Sequence, residues 1–518
     1  MPRYLLNKNH DNRLLCQTAN GRMIYPMRDS RLKWGLIFLF VLWLFYGLSA
    51  YYVVQKPFSV PQLVALLDDP AAWLTLDFAW SSVGRSLLDV GTAVLINLAA
   101  WGIGTEILSY TNIKMDGLET AVFGTGLGFG VLGLWVFFLG LVGGLNATAF
   151  WGTLGATTGL AIWQLHKTTK NLRQSAKSVD KNSPRPPRSP RLNLPTRGIT
   201  IYLLIVLGLA LILALLPPTD WDGLFYHLKG PKLYLAAGRI VGGIDIPHLS
   251  FPALFEMLFT LAMGLRGDIA AKLLHFSFIP WLMALIYLIS NQFFATEGTE
   301  EKEDFSKTSV ANKKNGWTAV LVLISMPMVL NLGTQAYNDL PLAFYQVAAL
   351  VALLRWRQNE QTGWLILSGT FAGLSMGLKY TSFVTPLLLA GFVVWHFWNR
   401  EKRNNPQSAS TPPPRLRASA LKNSLTPLLI LTAATTLIAL PWYLKNWAFT
   451  GNPVYPFVFG GQFWDDFRAA AYAGTGTGLG FDPIALLRLP HDLILGLNDA
   501  SQDGQPGPLF LIFLPAVL

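Results

Sequence analysis

The sequence predicts an all-α polytopic membrane protein of about 11 transmembrane helices, with interfacial helices in its outer loops and a last span cut short. Three observations lead there. Hydrophobic residues make up 52% of the 518 positions and charged residues only 13%, about half the roughly 25% charge of soluble domains. Several apolar runs reach the ~20 residues a spanning helix needs. The basic residues behind the net charge of +11 lie in short segments between those runs, which is the pattern of cytoplasmic membrane loops. They lack the aromatic partners of a nucleic-acid surface, so no nucleic acid is expected. A single cysteine, Cys16, excludes an internal disulfide and a cysteine-based metal site.

Each element follows from pattern and from the side its flanks prefer. Residues 1–33 carry seven Lys or Arg, from Arg3 to Lys33, and are placed inside. The first span, 34–54, is a full-length anchor with no small-residue cleavage site after it. Spans at 86–108, 118–143 and 148–165 complete an N-terminal four-span bundle (34–166). The third carries GTGLGFGVLGLW, whose glycines allow close helix packing. Residues 167–197 are basic and proline-rich and are expected to be a disordered cytoplasmic linker.

A fifth span, 198–216, then runs outward, and the core continues to 448 with an outer loop at 217–268. The apolar piece 251–265 holds Glu256 and is too short to cross, so it is read as a helix on or dipping into the outer interface. Spans at 269–293, 317–333, 340–355, 364–379 and 382–398 place the basic segment 400–422 inside. A crossing at 251–265 would put that segment outside, against the positive-inside rule. The span 425–440 leads into an outer segment, 441–507, and LFLIFLPAVL reads as the start of a further span. The membrane is expected to be a bacterial cytoplasmic (inner) membrane, with the N-terminus inside.

The chain is organised around PPTDWDGLFYHLKGPKLYLAAGRIVGGIDIPHLS, residues 217–250. Two prolines stop the preceding helix, and Asp220 and Asp222 follow where it leaves the lipid. Acids there need a partner, a cation or water, and are functional candidates. The same face is expected to gather His227, Lys229, Lys232, Glu256, Asp339, Lys379, Lys445 and Asn446. Carboxylates so placed can take a proton or hold a divalent cation, and lysines can bind a phosphate as point charges. Each has a plainer reading: Asp220 as a cap, His227 as an interfacial or substrate-positioning residue, and Lys379 and Lys445 as snorkelling cations. The rival acidic pair, Asp68 and Asp69, has no chemistry around it. No Walker A loop and no HExxH occurs.

Three pieces resemble the GT-C superfamily of polytopic glycosyltransferases, especially bacterial members similar to protein O-mannosyltransferases and lipid A aminoarabinose transferases. They are DWDGLFYHLKGPKLYLAAGRI with PALFE, TQAYNDLPLAF with GLKYT, and PWYLKNWAFTGNPVYP, in that order over about 200–460. The resemblance implies a catalytic aspartate in the first outer loop of the core, where Asp222 fits as general base with Asp220 beside it. It also implies a sugar donor on a polyprenyl phosphate in the bilayer, a glycan, lipid or protein acceptor, and cations at the departing phosphate, with Lys445 and Lys379 in that role. A divalent metal stays open as a cofactor, and so do two other classes: a glycan or lipid transporter, and a non-catalytic assembly subunit. Inverted repeats would mark the transporter, and tolerance of losing the outer acids would mark the subunit.

Overall fold

The computed structural model describes residues 30–55, 80–178, 197–293, 316–404, 414–474, 482–495, 497 and 506–517. Among these there are helices and no strands. In order they are α1 (Ser30–Gln55), α2 (Trp80–Ser109), α3 (Gly117–Leu141), α4 (Ala147–Ser178) and α5 (Arg197–Ala214). Then come α6 (Lys229–Ala237), α7 (Leu254–Leu265), α8 (Asp268–Phe276) and α9 (Phe278–Phe293). A bent pair follows, α10 (Gly316–Ile324) and α11 (Pro327–Gly333). The chain continues with α12 (Asp339–Asn359), α13 (Thr362–Met376), α14 (Val384–Asn404) and α15 (Pro414–Thr450). It closes with α16 (Asp466–Gly474), α17 (Pro483–Leu495) and α18 (Leu509–Val517).

Eight helices among the described residues are long and apolar enough to cross a membrane, and the bent α10–α11 pair makes a ninth if counted as one span. That pair turns by 68° because Met326, before Pro327, is forced into an extended conformation. The two other expected spans also form helices. However, α4 is diluted by its basic tail, and α13 has only 15 residues.

Three boundaries differ from expectation. Helix α4 runs on to Ser178, so the first part of the expected disordered linker is helical; 179–196 lies outside the described residues, as do Asp68 and Asp69. Helix α15 extends unbroken from 414 to 450 through Pro427 and Pro441, carrying the expected outer stretch from 441 as its last turns. Helix α7 is short, about 18 Å at 1.5 Å per residue, but it does not lie on a surface. Leu254 through Ala262 are all buried, enclosed by α3, α6 and α8. Its first amide, on Leu254, is satisfied by the Gly377 carbonyl at 2.8 Å, which ties it to the end of α13.

The N-terminal helices pack into this core. Helix α3 lies against α2, α7 and α9. A Cβ on Gly128 would sit 1.7 Å from the Ala100 oxygen, and one on Gly104 would sit 1.7 Å from the Gly124 oxygen, so α2 and α3 meet backbone to backbone. Buried Glu119 accepts from Arg355 Nε of α12 at 2.7 Å. Asp89 of α2 accepts from Arg266, after α7, at 3.0 Å. Away from this core, α1 packs with α17 and α18, and Trp43 Nε1 donates to the Leu511 carbonyl at 2.7 Å.

Gly128→Val should prise α2 from α3 and lower the thermal unfolding temperature in detergent by the equivalent of about 1–3 kcal/mol or more. Gly152→Ala, where a Cβ meets nothing within 4 Å, should leave it unchanged or raise it.

Candidate functional site

The ends of α5, α8, α12, α13 and α15 meet at one end of the bundle, around the 215–253 loop. Lys272 of α8 donates to the Leu216 carbonyl at 2.7 Å, closing the end of α5. Asp220 begins the loop's first turn: its Oδ2 accepts from the Gly223 amide at 2.7 Å. A Cβ on residue 223 would fall 2.0 Å from that oxygen, so any larger residue there would have to displace the Asp220 carboxylate. Residues 223–227 then wind as one π turn, a wide register often found at functional positions. It sends two neighbouring side chains different ways. The Tyr226 hydroxyl donates back to Asp222 Oδ2 at 3.1 Å, while His227 turns inward to α7.

His227 and Glu256 form the centre of the arrangement. His227 is 1% exposed, and its Nδ1 lies 2.6 Å from Glu256 Oε1. Asn338, 2% exposed, donates from Nδ2 to the same oxygen at 3.1 Å and lies 3.4 Å from the Leu378 carbonyl. Glu256 Oε2 and Asn338 Oδ1 are buried with no partner among the described residues. A carboxylate, an imidazole and an amide taken out of water in this way are costly unless they satisfy one another. Their contact joins the loop, α7 and the start of α12.

Over this trio lies a cavity of about 160 Å³. Its polar lining includes His227, Glu256, Asn338 and Lys379, and its aromatic wall includes Tyr226, Tyr234, His248, Phe251, Tyr380 and Phe457. The His248 ring stacks on Tyr226 with centroids 4.6 Å apart, and its Nε2 meets the Tyr472 hydroxyl of α16. Arg468 of α16 pairs with Asp245 at 2.5 Å, so two contacts hold the 451–474 segment to the loop. Burial pushes the Tyr226 phenol well above its usual range, and the Asp222 carboxylate adds to this. Burial lowers His248 below the ordinary histidine value, against the opposing pull of Asp222.

The other expected residues take these places. Lys379 lines the cavity and donates to Asp339 Oδ1 at 2.7 Å. Lys445 is buried behind the wall, with its ammonium 3.2 and 2.9 Å from the carbonyls of Ser250 and Phe251. Asn446 donates to the Tyr380 hydroxyl at 2.5 Å and so holds one cavity wall. Asp222 is half-buried and reaches the cavity only through Tyr226. Lys232 pairs with Asp268 at 2.6 Å away from the cavity lining, and Lys229 is exposed. Sequence reasoning missed Asn338, His248, Tyr380 and Tyr472. Asn338 adjoins Asp339, and His248 sits between two prolines in PHLSFP, but neither stands out from the surrounding polar and aromatic residues. Among the described residues no group of three His, Cys, Asp or Glu side chains is placed to hold a metal.

The family described as dolichyl-phosphate-mannose-protein mannosyltransferase matches residues 308–408. The matched stretch carries Asn338, Asp339, Lys379 and Tyr380 of the cavity region. No curated protein and no solved structure matches the chain. The chain is a multi-pass membrane protein with a segment of glycosyltransferase-family type.

Two outcomes test this geometry. Lys445→Met should leave the Ser250 and Phe251 carbonyls without their cation and raise amide exchange across 247–253 by tenfold or more, at about 1–3 kcal/mol per buried polar group stranded. The His248–Tyr472 attachment should depend on pH in one direction. Because the folded value of His248 is lowered, its contribution is complete above about pH 6.5 and is lost as the pH falls through that lowered value. Exchange in α16 should therefore quicken on acidification, and His248→Gln should flatten that response.

Proposed function

We propose that this protein transfers a sugar from a polyprenyl-phosphate donor to an acceptor hydroxyl on the extracytoplasmic side of the membrane, with Asp222 as general base. The observation that carries this reading is one cavity lined by His227, Glu256 and Lys379, with Asp222 and Asp339 one hydrogen bond behind its lining, where a loop meets the ends of spanning helices. The match to a mannosyltransferase family over 308–408 supports the reaction class.

The chemistry needs three things. A lipid-borne donor must reach the site sideways from the bilayer, between spanning helices. A base must take the acceptor proton, and half-buried Asp222 is joined to the cavity wall through the Tyr226 hydroxyl. A cation must meet the phosphate as the C1–O bond breaks. Lys379 lines the cavity, and Asp339 holds it in place until an anion competes for it. Lys445 props the wall from behind through the Ser250 and Phe251 carbonyls. The aromatic wall offers faces on which a sugar ring can stack. The positive-inside pattern of the basic segments 1–33, 167–197 and 400–422 supports placing this face on the extracytoplasmic side.

In liposomes containing polyprenyl-phosphate sugars, Asp222→Asn should lower turnover by about 10²–10⁴-fold while the thermal unfolding temperature stays within a few degrees of wild type. Undiminished turnover would remove Asp222 from the reaction.

A further inference from the structure

We propose that His227 is the general acid of this centre: its Nε2 protonates the departing phosphate, while Glu256 and Asn338 act as positioning residues that fix its ring. This rests on the transferase reading above and adds a role that reading leaves empty.

The geometry points there in three steps. First, the imidazole is held from one side only. Nδ1 is taken by Glu256 Oε1 at 2.6 Å, and Asn338 shares that oxygen at 3.1 Å. His227 lines the cavity, and its Nε2 has no partner among the described residues. A ring whose inner nitrogen is locked by a carboxylate presents its other nitrogen in a defined orientation. Second, the reading above already places the base at Asp222, so an imidazole nitrogen in the same cavity as Lys379 is left to serve the departing phosphate. Third, the two groups differ in exposure. Asp222 is half-buried and touches the cavity wall through Tyr226, while His227, five residues on, is 1% exposed and lines the cavity itself. Two proton-transfer groups so placed match a displacement with an entering hydroxyl and a departing phosphate.

The steps balance. The acceptor oxygen attacks the anomeric carbon, and its proton passes to the Asp222 carboxylate. The bond between that carbon and the phosphate oxygen breaks, and the electron pair stays on the phosphate oxygen. That oxygen takes the proton from His227 Nε2, leaving neutral imidazole. One proton gained at Asp222 and one lost at His227 are restored by exchange with water.

The charged or titratable groups around the ring are Glu256, Asp222 through Tyr226, Asp339, Lys379, His248 and His275, with Lys445 behind the wall near Glu256. The test must therefore separate His227 from its neighbours. Purified wild-type protein and the His227→Gln and Glu256→Gln variants are reconstituted in liposomes with a panel of polyprenyl-phosphate hexoses and of glycan, lipid and peptide hydroxyl acceptors, and lipid-phosphate release is followed from pH 5 to 9. An acid must carry its proton, so wild-type kcat should fall as the pH rises through the alkaline limb.

His227→Gln should lower kcat by about 10²-fold or more, leave KM for the donor within a few-fold, and lose that limb. Glu256→Gln, which removes the carboxylate that fixes the ring, should keep the limb and lower kcat by less than His227→Gln does, with KM for the donor within a few-fold. In His227→Ala, added imidazole should restore part of the turnover, which a merely structural histidine would not allow. A wild-type alkaline limb in His227→Gln, or a loss confined to KM, overturns the acid assignment while the transferase reading stands. Absence of lipid-phosphate release by the wild type with every donor overturns both.

Discussion

The contact between His227 Nδ1 and Glu256 Oε1 is the constraint on which this end of the molecule depends. It joins a π turn in a connecting loop to a helix buried inside the bundle. Both partners are nearly closed to solvent, and neither charge nor dipole could remain there alone without a penalty of several kcal/mol. The sequence meets that constraint by bringing Asn338 from a third element onto the same oxygen. Each surrounding device then follows from holding the turn in register. Asp220 and Gly223 start it, Lys272 closes the helix before it, and Lys445 pins the far end of the loop through two carbonyls.

The N-terminal helices belong to the same mechanical unit. Glycines along α3 let its backbone touch α2, and the opposite face of α3 supports α7. The two ion pairs from α2 and α3 reach Arg266 and Arg355, at the end of α7 and on α12. Through these, α2 and α3 form the floor beneath the helix that carries Glu256. The α1–α17–α18 group is a separate, smaller apolar cluster.

Much of the fold was legible in the sequence because lipid imposes a length and a composition on any helix that crosses it. All eleven expected spans correspond to helices, including the bent 316–333 pair at Pro327. What the sequence hid has physical causes. Helicity persists through Lys- and Arg-containing stretches, so α4 outlasts the apolar run that announces it. Prolines 427 and 441 sit inside one continuous helix, where neighbouring elements outweigh the local cost. The site was legible as a list of chemistry-bearing residues but not as a geometry. Nothing local separates Lys379, which lines the cavity, from Lys445, which props its wall, or from Lys232, which pairs elsewhere. The pairing of His227 with Glu256 spans 29 residues, and Asn338 lies a further 82 away. Such contacts arise from packing and leave no periodic trace.

Helix α7 carries a last implication. Helices that touch acyl chains tilt or stretch when the bilayer thickens or thins. At about 18 Å and sheathed in protein, α7 is insulated from that mismatch and feels lipid only through its neighbours. The carboxylate it carries is thus referenced to the protein interior rather than to the membrane's width. The same centre can keep its shape in host membranes of different composition.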